Sequence, residues 1–189
     1  VRLPDLKPFV GAGATRLWTD SVGELGLRTV LQRERPAANL KDAPTPGDAA
    51  EGWDGDRAAV HRTERGELAL AWTLVMDTDE DARELHGAYA AMMTRYPGFR
   101  ERARDADVLH GEAGGTGLWL ERRGTRVVVL EGYAEDRLRA AATAMMEQPD
   151  GRAFDPPGGT AAQDGGLPGE TDGGAADGEG TGTDGGDVT

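Results

Sequence analysis

The clearest alternation of apolar and polar positions runs from Glu67 to Met76. Leu68, Leu70, Trp72, Leu74 and Met76 fall on one side of an extended chain, and Ala69, Ala71, Thr73 and Val75 on the other. Both sides are largely apolar, so this segment reads as a central strand covered on both faces. A strand over 58–63 precedes it, joined through Glu64-Arg65-Gly66. A short strand is expected at Val108 to Gly111. Leu118 to Glu121 and Val127 to Leu130 flank Arg123-Gly124, a hairpin signal.

Helical spacing marks three further segments. Ser21-Val22-Gly23-Glu24 has the spacing of a capping box, followed by Leu25, Leu27, Val30 and Leu31, which predicts a helix over 21–33 capped by Ser21. Arg35-Pro36 closes it, and a loop with Pro44 and Pro46 leads to a short helical turn at Ala49 to Glu51. Thr78-Asp79-Glu80-Asp81 starts another helix, its acids suited to the positive end of the helix dipole. Ala82, Leu85, Tyr89, Met92 and Tyr96 form its buried stripe, and Pro97-Gly98 ends it. Glu135 to Glu147 is the last helix, with Leu138, Ala141, Ala142 and Met145 on one face. Local hairpins with intervening helices give an α+β domain, a mainly antiparallel sheet of about four to five strands with packed helices.

Composition divides the 189 residues near Pro149. Residues 151–189 hold 13 of the 29 glycines, eight acids and one base, and their only large apolar residues are Phe154, Leu167 and Val188. Burial there cannot offset a chain-entropy cost of roughly 1–2 kcal/mol per residue, so a disordered acidic tail is expected after a folded domain at 1–150. Its Gly-Asp pairs have no nonapeptide period of the calcium-binding kind. The net charge of −13 disfavours a general nucleic-acid phosphate binder. The absence of Cys excludes disulfides, thiolate zinc sites and thiol nucleophiles. No apolar run is long enough for a transmembrane helix, and the residues from Val1 onward lack the pattern of a secretory signal. Only Lys7 and Lys41 are lysines. Many carboxylates with few lysines fit adaptation to high salt, and they equally fit the codon usage of a GC-rich genome.

Catalytic patterns are sparse. His61, His86 and His110 have no short metal spacing. Asp77, Asp79 and Asp81 imitate a calcium loop, but Ala82 and Ala88 stand where Gly and Glu are needed. Gly11-Ala12-Gly13 is a fragment of a phosphate-binding pattern without its third Gly or its strand-before, helix-after setting. Gly114-Gly115 and Gly117 precede a strand and read as turn residues. No catalytic residue, cofactor site or metal site is assigned. One constellation stands out: Trp53, Asp56 and Arg57 at the entry to the first hairpin, with Trp72 and Trp119. Two readings are open for it, an aromatic and charged binding pocket, or a Trp anchor with an Asp56–Arg57 pair ordering the hairpin.

These residues carry a resemblance. Trp53-Asp54-Gly55-Asp56-Arg57, Leu70-Ala71-Trp72, and Asp77-Thr78 with Asp81-Ala82 resemble a pattern in secreted surface proteins of haloarchaea and some bacteria. There the pattern reads approximately W-G-G-D-R, then V-W and W-D-[TS]-x-x-D-A. Leu3-Pro4-Asp5-Leu6, Gly23 to Arg28, and the hairpin through Val127-Val128-Val129 to Glu131-Gly132 also fit, in order, over most of residues 1–147. Asp54 stands for a family Gly, Met76 for a Trp and Leu85 for a Phe. In that family the pattern follows a part resembling a zinc metallopeptidase, which has no counterpart here, so no peptidase residue carries over. The resemblance implies a noncatalytic extracytoplasmic domain of a salt-adapted surface protein, located at the cell surface or outside it. An upstream peptidase-like domain would be its partner in a longer parent. A small-molecule-binding module around Trp53, Trp72 and Trp119 is a second reading. An intracellular enzyme with a spatially assembled carboxylate site is a third.

Overall fold

The computed structural model describes residues 1–33 and 44–149. The expected disordered tail at 151–189 and the loop around Pro36 lie outside these residues. Helices α1 (Lys7–Val10), α2 (Gly23–Arg33), α3 (Asp79–Met93) and α4 (Glu135–Met146) accompany seven strands. The strands are β1 (Thr15–Asp20), β2 (Trp53–Arg62), β3 (Leu68–Met76), β4 (Arg100–Arg104), β5 (Val108–Ala113), β6 (Thr116–Arg123) and β7 (Arg126–Tyr133). A 3-10 turn at Asp48–Ala50 precedes β2. The fold is α+β, and all seven strands form one antiparallel sheet in the order β1-β2-β3-β7-β6-β5-β4.

The expected four to five strands therefore become seven. The two unforeseen strands are the sheet's edges. Every residue of β4, Arg100 to Arg104, is exposed, and β1 is exposed at all but Thr19. An edge strand that buries no side chain needs no apolar alternation, so the hydrophobic pattern carried no trace of it. Both edges have a register irregularity, at Arg16/Trp18 in β1 and at Glu101/Ala103 in β4. Such bulges and the charges of β4 discourage pairing with another chain.

The sheet consists of two meanders, β1-β2-β3 and β4-β5-β6-β7, with α3 connecting β3 to β4. The two meet where β3 pairs with β7, from Leu70↔Glu131 to Val75↔Arg126. These central strands separate two cores. On one face, Trp72, Leu74, Met76, Val127 and Val129 pack with Leu27 and Leu31 of α2 and Leu85, Tyr89 and Met93 of α3. On the other, Ala69, Ala71, Val128 and Leu130 pack with Leu6, Val10 of α1 and Leu138, Ala142 and Met145 of α4. The two-sided apolar character of β3 is thus accounted for by helices on both faces.

β2 begins at Trp53, five residues before the expected start at Ala58, so Trp53, Asp56 and Arg57 lie within the strand rather than in a turn leading into it. The other expected elements shift less. Thr78 caps α3 as expected: Asp81 N–H donates to its hydroxyl and Thr78 N–H to the Asp81 carboxylate. The helix ends at Met93, with Tyr96 in the following turn rather than in the helix itself. Gly124 has φ of +58° in the tight β6–β7 connection, where Arg123 pairs with Arg126. Gly132 bulges β7 between Glu131 and Tyr133 with φ of +79°. A Cβ on it would stand 2.1 Å from the Leu68 carbonyl oxygen, so β3 and β7 close up only around a glycine. At the end of α4, Arg126 reaches from β7 and donates through Nη1 to the carbonyls of Met145 (3.0 Å) and Gln148 (2.6 Å). A cation here satisfies carbonyls that the helix itself leaves free.

Candidate functional site

Alternation along β2 turns Asp56 toward α2 and α3, and there its carboxylate collects four donors. Gly23 N–H (2.9 Å) and Trp53 Nε1 (3.1 Å) donate to Oδ1. Val22 N–H (2.7 Å) and Trp72 Nε1 (2.9 Å) donate to Oδ2. Asp56 is 3% exposed. A carboxylate has about four lone-pair positions, and all are used inside the fold.

This arrangement corrects two expectations. Ser21 does not cap α2 with its hydroxyl; its Oγ donates to the backbone carbonyl of Asp56 at 2.7 Å, and the side chain of Asp56 takes the first amides of the helix. A carboxylate from a neighbouring strand meets the positive helix end better than a neutral local hydroxyl does. Nor do Asp56 and Arg57 pair. Successive strand residues point to opposite faces, and Arg57 turns away to Asp20, 3.5 Å from its Oδ1.

Of the five candidate residues, the structure brings Trp53, Asp56 and Trp72 together. Trp119 belongs to the core on the other face, with Val128 and Leu138. Its Nε1 donates to Glu121 at 3.0 Å, its ring centre lies 5.1 Å from that of His110, and Arg139 sits 5.1 Å above it. His110 in turn has Nε2 at 2.7 Å from Glu135 Oε1, at the first turn of α4.

A second polar group continues from Trp72. Tyr89 of α3 meets the Trp72 ring edge-on at 6.2 Å, and its hydroxyl donates to Glu131 Oε1 at 3.0 Å. Tyr96 donates to the same oxygen at 3.1 Å. Burial, and then the neighbouring Glu131 carboxylate, push the Tyr89 phenol well above its ordinary range, so it stays a neutral donor. Glu131, Tyr89 and Tyr96 were not singled out in the sequence as polar partners. The available signals were a carboxylate directly after the apolar run Val127 to Leu130 and two tyrosines seven positions apart.

The histidines stand on separate elements, His61 on β2, His86 on α3 and His110 on β5. Burial lowers His86 to about 4, with Arg122 adding to the effect, and burial lowers His61 in the same direction. Among the described residues no three His, Asp or Glu side chains are grouped to hold a metal ion. No described helix is long and apolar enough to cross a membrane.

The fold and this network define an α+β domain built on one antiparallel sheet, its most buried carboxylate occupied by internal donors. Residues 13–142, from the start of β1 into α4, match the model of a family described as a domain of unknown function, DUF8575, and the chain belongs to that family. No curated protein matches the chain.

Proposed function

We propose that this α+β region is a noncatalytic domain of a salt-adapted extracytoplasmic surface protein. The observation that supports its noncatalytic character is the saturation of Asp56. The carboxylate at the centre of the most distinctive motif spends its acceptors on two indoles and the first amides of α2, leaving no lone pair for a substrate. General acid–base work needs a group within reach of the substrate proton, and Asp56 is walled in. The extracytoplasmic setting, and service as a C-terminal accessory to a peptidase-like domain, rest on the resemblance of the Trp53 to Ala82 pattern to haloarchaeal and bacterial surface proteins. The placement of Trp119 on the opposite face leaves a three-tryptophan ligand pocket without support.

Incubating the purified chain with unfolded protein and zinc, with and without a chelator, tests the noncatalytic assignment. No cleavage is expected. Chelator-sensitive cleavage that disappears on changing His61, His86 or His110 would overturn it.

A further inference from the structure

Gly11-Ala12-Gly13, too incomplete in sequence to be a nucleotide loop, is a tight turn in the fold, closed by Ala14 N–H donating to the Gly11 carbonyl at 3.1 Å. Gly13 N–H donates to Glu64 Oε1 at 2.6 Å, from the tip of the β2–β3 hairpin. The turn therefore already holds a carboxylate. Gly11 has φ of +108°, and a Cβ built on it would lie 3.7 Å from Arg137 Nη1 and 3.9 Å from Glu64 Oε1. The guanidinium and the carboxylate thus flank the point above Gly11, which carries no side chain. On Gly13 a Cβ would stand 2.7 Å from Glu64 Oε1, so the close approach of an oxyanion depends on glycine there.

Arg137 is half-buried in the first turn of α4, whereas several other arginines are committed to carboxylates. Arg57, Arg83, Arg100, Arg102, Arg104, Arg122 and Arg123 each have a carboxylate partner. The Arg137 side chain has neither an ion pair nor a hydrogen bond among the described residues. Gly11 and Ala14 spend their amides on backbone carbonyls, so the Gly13 amide, beside the guanidinium, is the backbone donor shown to meet an oxyanion here.

We propose that the Gly11–Ala14 turn and Arg137 form a binding site for a small oxyanion, a carboxylate or phosphate group, and that Glu64 is its tethered occupant. Glu64 uses the Gly13 amide but does not ion-pair with Arg137, so a free anion gains a partner that the tethered one lacks. Displacing Glu64 swings a solvent-exposed side chain at a hairpin tip and leaves both cores untouched. The site is independent of the noncatalytic reading above.

The test follows the Gly13 amide and the Arg137 Nε–H by NMR in the full chain. Inorganic phosphate, acetate and chloride are titrated separately at constant ionic strength. In Glu64→Ala, both signals should shift saturably with phosphate or acetate at millimolar concentration, about tenfold more tightly than in wild type. Glu64→Gln, which keeps the hairpin side chain and removes its charge, should gain affinity in the same direction. Adding Arg137→Gln should abolish saturation. Saturation by phosphate alone assigns phosphate groups to the site, and by acetate alone, carboxylates. Equal response to chloride, no saturable shift in either Glu64 variant, or unchanged binding in the Arg137→Gln double variant would overturn the proposal.

Discussion

Asp56 concentrates more polar contacts than any neighbour on β2, and its loss should be felt accordingly. Asp56→Ala strands two indole N–H groups and two backbone amides, and each buried unsatisfied donor costs about 1–3 kcal/mol. A total loss above roughly 3 kcal/mol is expected. Arg57→Ala removes only a 3.5 Å pair with the half-exposed Asp20 and should cost about 0–1 kcal/mol. Chemical denaturation of the two variants compares them directly, and equal effects would contradict the assigned partners. His86 adds a pH dependence of known sign. It binds a proton less tightly when folded (about 4) than when unfolded (6.5), so its contribution is complete above pH 6.5 and is lost as pH falls toward about 4. The loss is roughly 3 kcal/mol at most. Wild type should lose that much more than His86→Leu between pH 7 and 4; parallel profiles would remove burial as the cause.

Among the elements, the β3–β7 seam is the most sensitive to a single atom. Gly132→Ala places a methyl 2.1 Å from the Leu68 carbonyl and asks alanine to hold φ of +79°. A cost of several kcal/mol is expected, seen as a lower unfolding midpoint, with faster hydrogen exchange at Leu70 and Ala71. Legibility differed between elements for definite reasons. The strands around Trp72 and Val128, the Thr78 cap and the Arg123-Gly124 turn were readable because burial or turn chemistry is written in their own residues. The edges β1 and β4 were not, since their stability comes from ladder bonds to β2 and β5. At the candidate site, the importance of Trp53, Asp56 and Trp72 was visible. That Asp56 would serve α2, whose amides lie more than thirty positions away, depends on tertiary placement that no local spacing records.

Across the whole molecule, the net charge of −13 makes salt the decisive variable for the proposed adaptation. At 0.1 M the screening length is about 10 Å, so added salt relieves repulsion between neighbouring surface carboxylates. The melting temperature should rise from dilute buffer to molar KCl. An unchanged or lower midpoint would leave codon usage as the better account of the composition.

The joining of two meanders through α3 also governs how the chain is born. Leu70 must wait for Glu131, 61 positions later, before the open side of β3 is covered. At a synthesis rate of roughly 5–20 residues per second, a strand apolar on both faces stays half-paired on the ribosome for about 3–12 s. The delay before β7 emerges thus leaves the apolar β3 open during synthesis, an exposure that the finished sheet removes by seating β3 between β2 and β7.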